Sequence, residues 1–112
     1  GLHVPLSDYA PLGPGIADAS LDLVTCYVGL HHMTAERLGY FLQSVRRVLR
    51  PGGAFIVRDH DVRSDELRAL VSLAHTVFNA GLGESWETNL AELRCFESAK
   101  TWVDRLQAQG FD

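Results

Sequence analysis

Two stretches decide the fold: Leu21-Asp22-Leu23-Val24-Thr25-Cys26-Tyr27-Val28, broken by Gly29, and Ala54-Phe55-Ile56-Val57-Arg58, which follows Pro51-Gly52-Gly53. Both are short, nearly apolar and rich in β-formers, as expected of strands buried on both faces in a parallel sheet. Between them, Leu38, Phe41, Leu42, Val45, Val48 and Leu49 recur at the three-and-four spacing of one buried helix face, predicting a helix over 35–49. Glu36 in its first turn and Arg46, Arg47 and Arg50 at its far end suit the helix dipole, and Pro51 stops it.

Working outward, Ser64 caps a second expected helix whose apolar face is Leu67, Leu70, Val71, Ala74, Val77 and Phe78, ended by Gly81. Residues 82–97 read as either loop or helix. Ser98 caps a third helix facing inward through Ala99, Trp102, Val103 and Leu106, with Gly110-Phe111 as its C-terminal cap. Residues 1–20 hold Pro5, Pro11, Gly13, Pro14 and Gly15 and read as an irregular lead-in. The order strand, helix, strand, helix, helix predicts an α/β chain with a parallel sheet and right-handed crossover.

The 112 residues suffice for one small domain with a real core. A hydrophobic share of 46% argues against wholesale disorder. The net charge of −4 disfavours a nucleic-acid partner, because a dedicated binder neutralises phosphates. No apolar run reaches membrane-spanning length and no leader peptide is visible, so no membrane partner and an intracellular, cytoplasmic location are expected. Gly1 in place of a start Met suggests a processed or partial chain. Cys26 and Cys95 have no metal-binding spacing and read as free thiols.

The segment Ile16–Met33, with Asp18, Ser20, Leu21, Asp22 and Val24 ahead of Leu30-His31-His32, resembles the run into and through the fourth strand of class I methyltransferases. The segment Val45-Arg-Arg-Val-Leu-Arg-Pro-Gly-Gly-Ala-Phe-Ile-Val57 resembles that family's next helix, its "L-K/R-P-G-G" turn and its fifth strand. The resemblance is to the small-molecule enzymes of the ubiquinone-biosynthesis type. It implies a partial Rossmann-like parallel sheet with flanking helices, S-adenosyl-L-methionine as cofactor and a small-molecule acceptor. The family's glycine-rich loop "G-x-G-x-G" and the acid that holds the ribose are not among these residues. Residues 1–112 are therefore expected to be the C-terminal portion of one methyltransferase domain, inactive alone. The alternative is a non-catalytic, methyltransferase-like domain that acts with a partner.

Open α/β sheets bind ligands beyond the carboxyl ends of their strands. Those ends carry Tyr27 to His32 and Arg58 to Asp61. The resemblance implies cofactor contacts from Asp8, Tyr27, Val28 and Gly29. It implies substrate contacts from His31, His32, Asp61 and, in the segment that closes over the acceptor, Arg94. His60 and Asp59 are the candidate catalytic pair, a His between two carboxylates being expected to hold its charge to higher pH. Structural roles compete at each position: in that reading one of His31 and His32 packs against or caps the next helix while the other is solvated, and Asp59 and Asp61 belong to a polar loop whose acids cap backbone amides. Adjacent histidines project apart from a strand, so no metal, and no metal-dependent hydrolase using these residues, is expected. The two strands would leave open edges, through which copies of the chain could associate.

Overall fold

The computed structural model describes residues 1–112, the Ser7 side chain excepted. Strand β1 (Leu21–Tyr27) leads through a 3-10 turn at Leu30–His32 into α1 (Ala35–Val48), then β2 (Leu49–Arg58), α2 (Asp65–Gly81), the short α3 (Trp86–Ala91) and α4 (Ala99–Ala108). The strands pair in parallel, with Val24 opposite Phe55, Cys26 opposite Val57 and Tyr27 opposite Arg58. The expected β-α-β unit is what forms.

The helix starts follow from their caps. Thr34, Ser64, Ser85 and Ser98 each accept a backbone N–H of the first turn of α1, α2, α3 and α4. At the end of α4, Gly110 takes φ +86° and the Phe111 N–H donates to Leu106 O. That returns the chain so that the Phe111 ring lies 5.5 Å from the Phe55 ring.

Strand β2 begins earlier than the apolar run. Leu49 pairs with Leu21 and Ala54 with Leu23, so Arg50 to Gly53 bulge out of the ladder. Gly52 sits at φ +80°, and a Cβ on Gly53 would stand 2.9 Å from Arg50 O and 3.2 Å from Asp22 O. The glycine pair is therefore a steric requirement of the bulge.

The core lies on one face of the sheet. Val24, Cys26, Phe55 and Val57 pack against Leu30, Met33, Leu38, Phe41, Leu42, Val45 and Trp102. The other face is open: Leu23, Tyr27 and Ile56 are 52%, 59% and 46% exposed. The expectation of burial on both faces is thus corrected, because within these residues helices cover only one side of the strands.

A second correction concerns α2. Its expected apolar face is largely outside, with Leu70, Val77 and Phe78 exposed together with Leu73. The helix instead turns Ser72, His75, Thr76 and Asn79 inward. There they join a hydrogen-bonded set with Asn89, Glu92 and Arg94. A saturated polar network satisfies these groups, so the stripe can sit against the fold.

Candidate functional site

The site is built where β1 and β2 end side by side. Val28 leaves the strand at φ +55°, a left-handed conformation that a β-branched residue adopts at a cost of roughly 1–3 kcal/mol. It is held there by its N–H donating to Arg58 O at 2.6 Å. The strained step folds Leu30, His31 and His32 back over the end of β2.

Asp59 fastens that turn. Its Oδ2 accepts the N–H groups of Leu30 (2.9 Å) and His31 (3.3 Å). Its Oδ1 accepts the His31 ring at Nδ1 and the His60 N–H, both at 2.7 Å. The His31 and Asp59 side chains are 0% and 1% exposed. Burial pushes the Asp59 carboxyl up, but the His31 ring and the His60 and His31 amides outweigh it and hold it below the usual carboxylate range. Asp59 is therefore an ionised clamp with no oxygen left over for substrate.

Around His31 the structure gathers three further imidazoles. Ring centroids of His32, His60 and His75 lie 4.1, 5.1 and 4.9 Å from that of His31. Phe96, almost wholly buried, lies 4.9 to 5.3 Å from the rings of His31, His75 and His60 and forms a common floor. The segment carrying Phe96 is stitched down by Cys95 N–H to His31 O, Val62 N–H to Glu97 O and the Arg68 guanidinium to Phe96 O. Trp102 Nε1 donates to His60 O and fixes the loop after β2.

His60 departs from expectation. Burial first, then repulsion from His31, pulls its pKa below the ordinary imidazole value, overriding the nearby Asp59 carboxylate. It is held neutral, not charged. His32 is lowered in the same way, by burial and then His31.

The other candidates divide by position. Tyr27, Val28 and Gly29 line a groove of about 760 Å³ along the outer edge of β1, together with Leu6 and Tyr9. Asp8 is not among the residues that line it; its carboxylate is 87% exposed, 3.7 Å from Arg37. Asp61 turns away from the histidines, accepting the Ala99 N–H at the start of α4 and pairing with Arg63. The Arg94 guanidinium gives four hydrogen bonds, to Glu92, Ser72 O, Thr76 and Asn89, so it braces α2.

Sequence reasoning missed His75 and Glu92. The signal was present as a polar stripe of Arg68, Ser72, His75 and Asn79 at helical spacing, on the side opposite the apolar stripe.

Fold and site together define a parallel α/β unit with a polar cluster at the carboxyl ends of adjacent strands, the ordinary ligand position of open α/β sheets. Compared with known proteins, residues 6–57 match the family model described as a methyltransferase domain. A solved structure from Bacillus halodurans, described as a candidate methyltransferase, superposes with a TM-score of 0.57 at 22% identity. The match covers 86% of this chain and 39% of that one, so the chain spans well under half the length of the protein it resembles. No curated protein matches the chain. The family match is thus to a methyltransferase domain over residues 6–57, and the solved structure shares the α/β fold that the two sequence segments implied. No helix is long and apolar enough to cross a membrane.

Proposed function

We propose that this chain supplies the acceptor side and one cofactor wall of an S-adenosylmethionine-dependent methyltransferase acting on a small molecule. The observation that carries the reading is the β1-α1-β2 unit, whose two strand ends converge on the histidine cluster within and just after the segment that matches the methyltransferase family. The outer-edge groove of β1 is mostly apolar and open, which fits one side of a nucleoside; the acid that lines it, Asp22, is paired with Arg50. Tyr27, Val28 and Gly29 would hold that side. The bound donor supplies an activated methyl group on a sulfonium, so the protein's task is alignment and, where the acceptor is protonated, removal of a proton.

The neutral imidazoles suit that task. His60 is half-buried beside β2, and its lowered pKa leaves a nitrogen able to accept a proton near neutral pH. Asp59 positions His31 and the turn without itself reacting.

The test is transfer of a labelled methyl group from S-adenosylmethionine by the full natural protein to a panel of small hydroxyl, amine and thiol acceptors. Incorporation that falls at least tenfold in His60→Ala, with an unchanged unfolding midpoint, supports the reading. Failure of the full protein to bind the cofactor at all contradicts it.

A further inference from the structure

Four of the chain's five histidines meet in one cluster, which methyl transfer alone does not require. Their hydrogen bonds fix which nitrogens are free. His31 Nδ1 lies 2.7 Å from a carboxylate oxygen of Asp59 and His75 Nδ1 lies 3.1 Å from one of Glu92. His32 Nδ1 lies 2.9 Å from Leu93 O. All three partners accept, so the tautomer that places the proton on Nδ1 and the lone pair on Nε2 is the one that each neutral ring adopts. One of these lone pairs is stranded: His31 Nε2 is fully buried and has no hydrogen-bond partner among the described residues.

We propose that His31, His32 and His75 form a three-histidine site for a divalent transition-metal ion of the zinc class, bound through Nε2. One ligand atom from each of the three lies within 4.8 Å of the others. Imidazole nitrogens on a tetrahedral zinc ion, about 2.05 Å from the metal, stand about 3.3 Å apart, so each pair of ligand atoms closes by at most about 1.5 Å on loading. His60 Nε2, 3.2 Å from His75 Nε2, neighbours this group without belonging to it. In the metal-free chain His60 donates its Nε2 proton to His75. On loading, His75 Nε2 turns from that hydrogen bond to the metal.

The surroundings match what such sites require. Ligating histidines characteristically donate their other N–H to a carboxylate or a backbone carbonyl, which orients the ring and raises its basicity. Asp59, Glu92 and Leu93 O take those three places. Glu92 is itself held by Asn79 and Arg94, and Asp59 by three backbone amides. His31 and His32 are adjacent in sequence, which would drive their rings apart on a strand. They lie instead in a 3-10 turn, with ring centroids 4.1 Å apart. The inference is independent of the methyl-transfer reading, because it rests only on the disposition of the imidazoles.

The test uses zinc and cobalt(II) as probes. The metal-free chain is titrated with zinc by calorimetry, and with cobalt(II) by visible absorption, which distinguishes tetrahedral from octahedral ions by intensity. The expected result is one equivalent at micromolar or tighter affinity, an intense tetrahedral cobalt spectrum, and a rise in thermal midpoint with zinc. His75→Gln and His32→Gln each weaken binding at least a hundredfold, and His3→Ala leaves it unchanged. Should His75→Gln fail to fold, His32→Gln decides alone, because its ring lies at the half-exposed rim of the cluster. Absence of saturable binding, an octahedral cobalt spectrum, or binding that survives the His32 substitution overturns the proposal.

Discussion

Replacing Asp59 with alanine tests the construction of the site more severely than any other single change. The carboxylate is 1% exposed and accepts four hydrogen bonds, from the N–H groups of Leu30, His31 and His60 and from His31 Nδ1. Each buried donor left unpaired costs about 1–3 kcal/mol, but water entering the vacated space recovers part of it. The measured cost of removing one member of a buried pair, roughly 3–5 kcal/mol, is the better guide to the total. A chain of 112 residues has about 6–17 kcal/mol of stability in all, so the substitution removes around a third. Asp59→Asn keeps the volume and one acceptor oxygen but turns an amide toward donors, and should cost about 2–3 kcal/mol. Urea unfolding followed by circular dichroism, with the slope held common to all variants, reads both values. A loss below about 1 kcal/mol for Asp59→Ala would refute the idea that this carboxylate fastens the strained Val28–His32 turn.

Three further outcomes follow from the same geometry. Cys26 is pushed up to about 11 by burial first and by the Asp59 carboxylate second. Its folded pKa lies above the unfolded one, so it favours the fold below pH 9 and the benefit disappears as pH rises toward 11; over that window wild type should lose up to ~2 kcal/mol more than Cys26→Ala in pH-dependent urea unfolding, and equal slopes would contradict this. The Arg47 guanidinium holds the lead-in through Leu12 O, Gly13 O, Ile16 O and Asp18, so Arg47→Ala should expose residues 12–18 to protease, which limited proteolysis with mass mapping detects. The open face of the sheet, with Leu23, Tyr27 and Ile56, and the outer face of α2, with Leu70, Leu73, Val77 and Phe78, should make the isolated 112 residues associate in light scattering; a stable monomer would show that these surfaces tolerate water.

The β-α-β unit was legible because its signals are local. Two β-rich runs, one amphipathic helix and the Pro51-Gly52-Gly53 break each act over a few residues. The face of α2 was misjudged because apolar periodicity says which residues share a side but not which side turns inward. Here the inward side is decided by Glu92, Arg94 and Asn89, which lie 10 to 22 residues beyond the helix positions they bind. For the same reason His75 was invisible as a site residue, and Arg94 looked free when four of its donors brace α2. The charge of His60 was misread from its carboxylate neighbours. The sequence shows Asp59 beside it but not the burial and the His31 ring that outweigh that neighbour. The roles of Asp59 and Asp61 had been left open between chemistry and capping. Asp61 caps α4, and Asp59 clamps a turn rather than a helix.

The central claim is that the cofactor lies along the carboxyl end of β1 with the histidine cluster on its acceptor side. Ultraviolet cross-linking of radiolabelled S-adenosylmethionine to the full natural protein, followed by peptide mapping, tests it most directly. The account predicts label within the peptide that carries Tyr27, Val28 and Gly29, competed away by the demethylated product. Label confined to peptides remote from β1, or saturable binding that leaves this peptide unlabelled and unprotected, would contradict it.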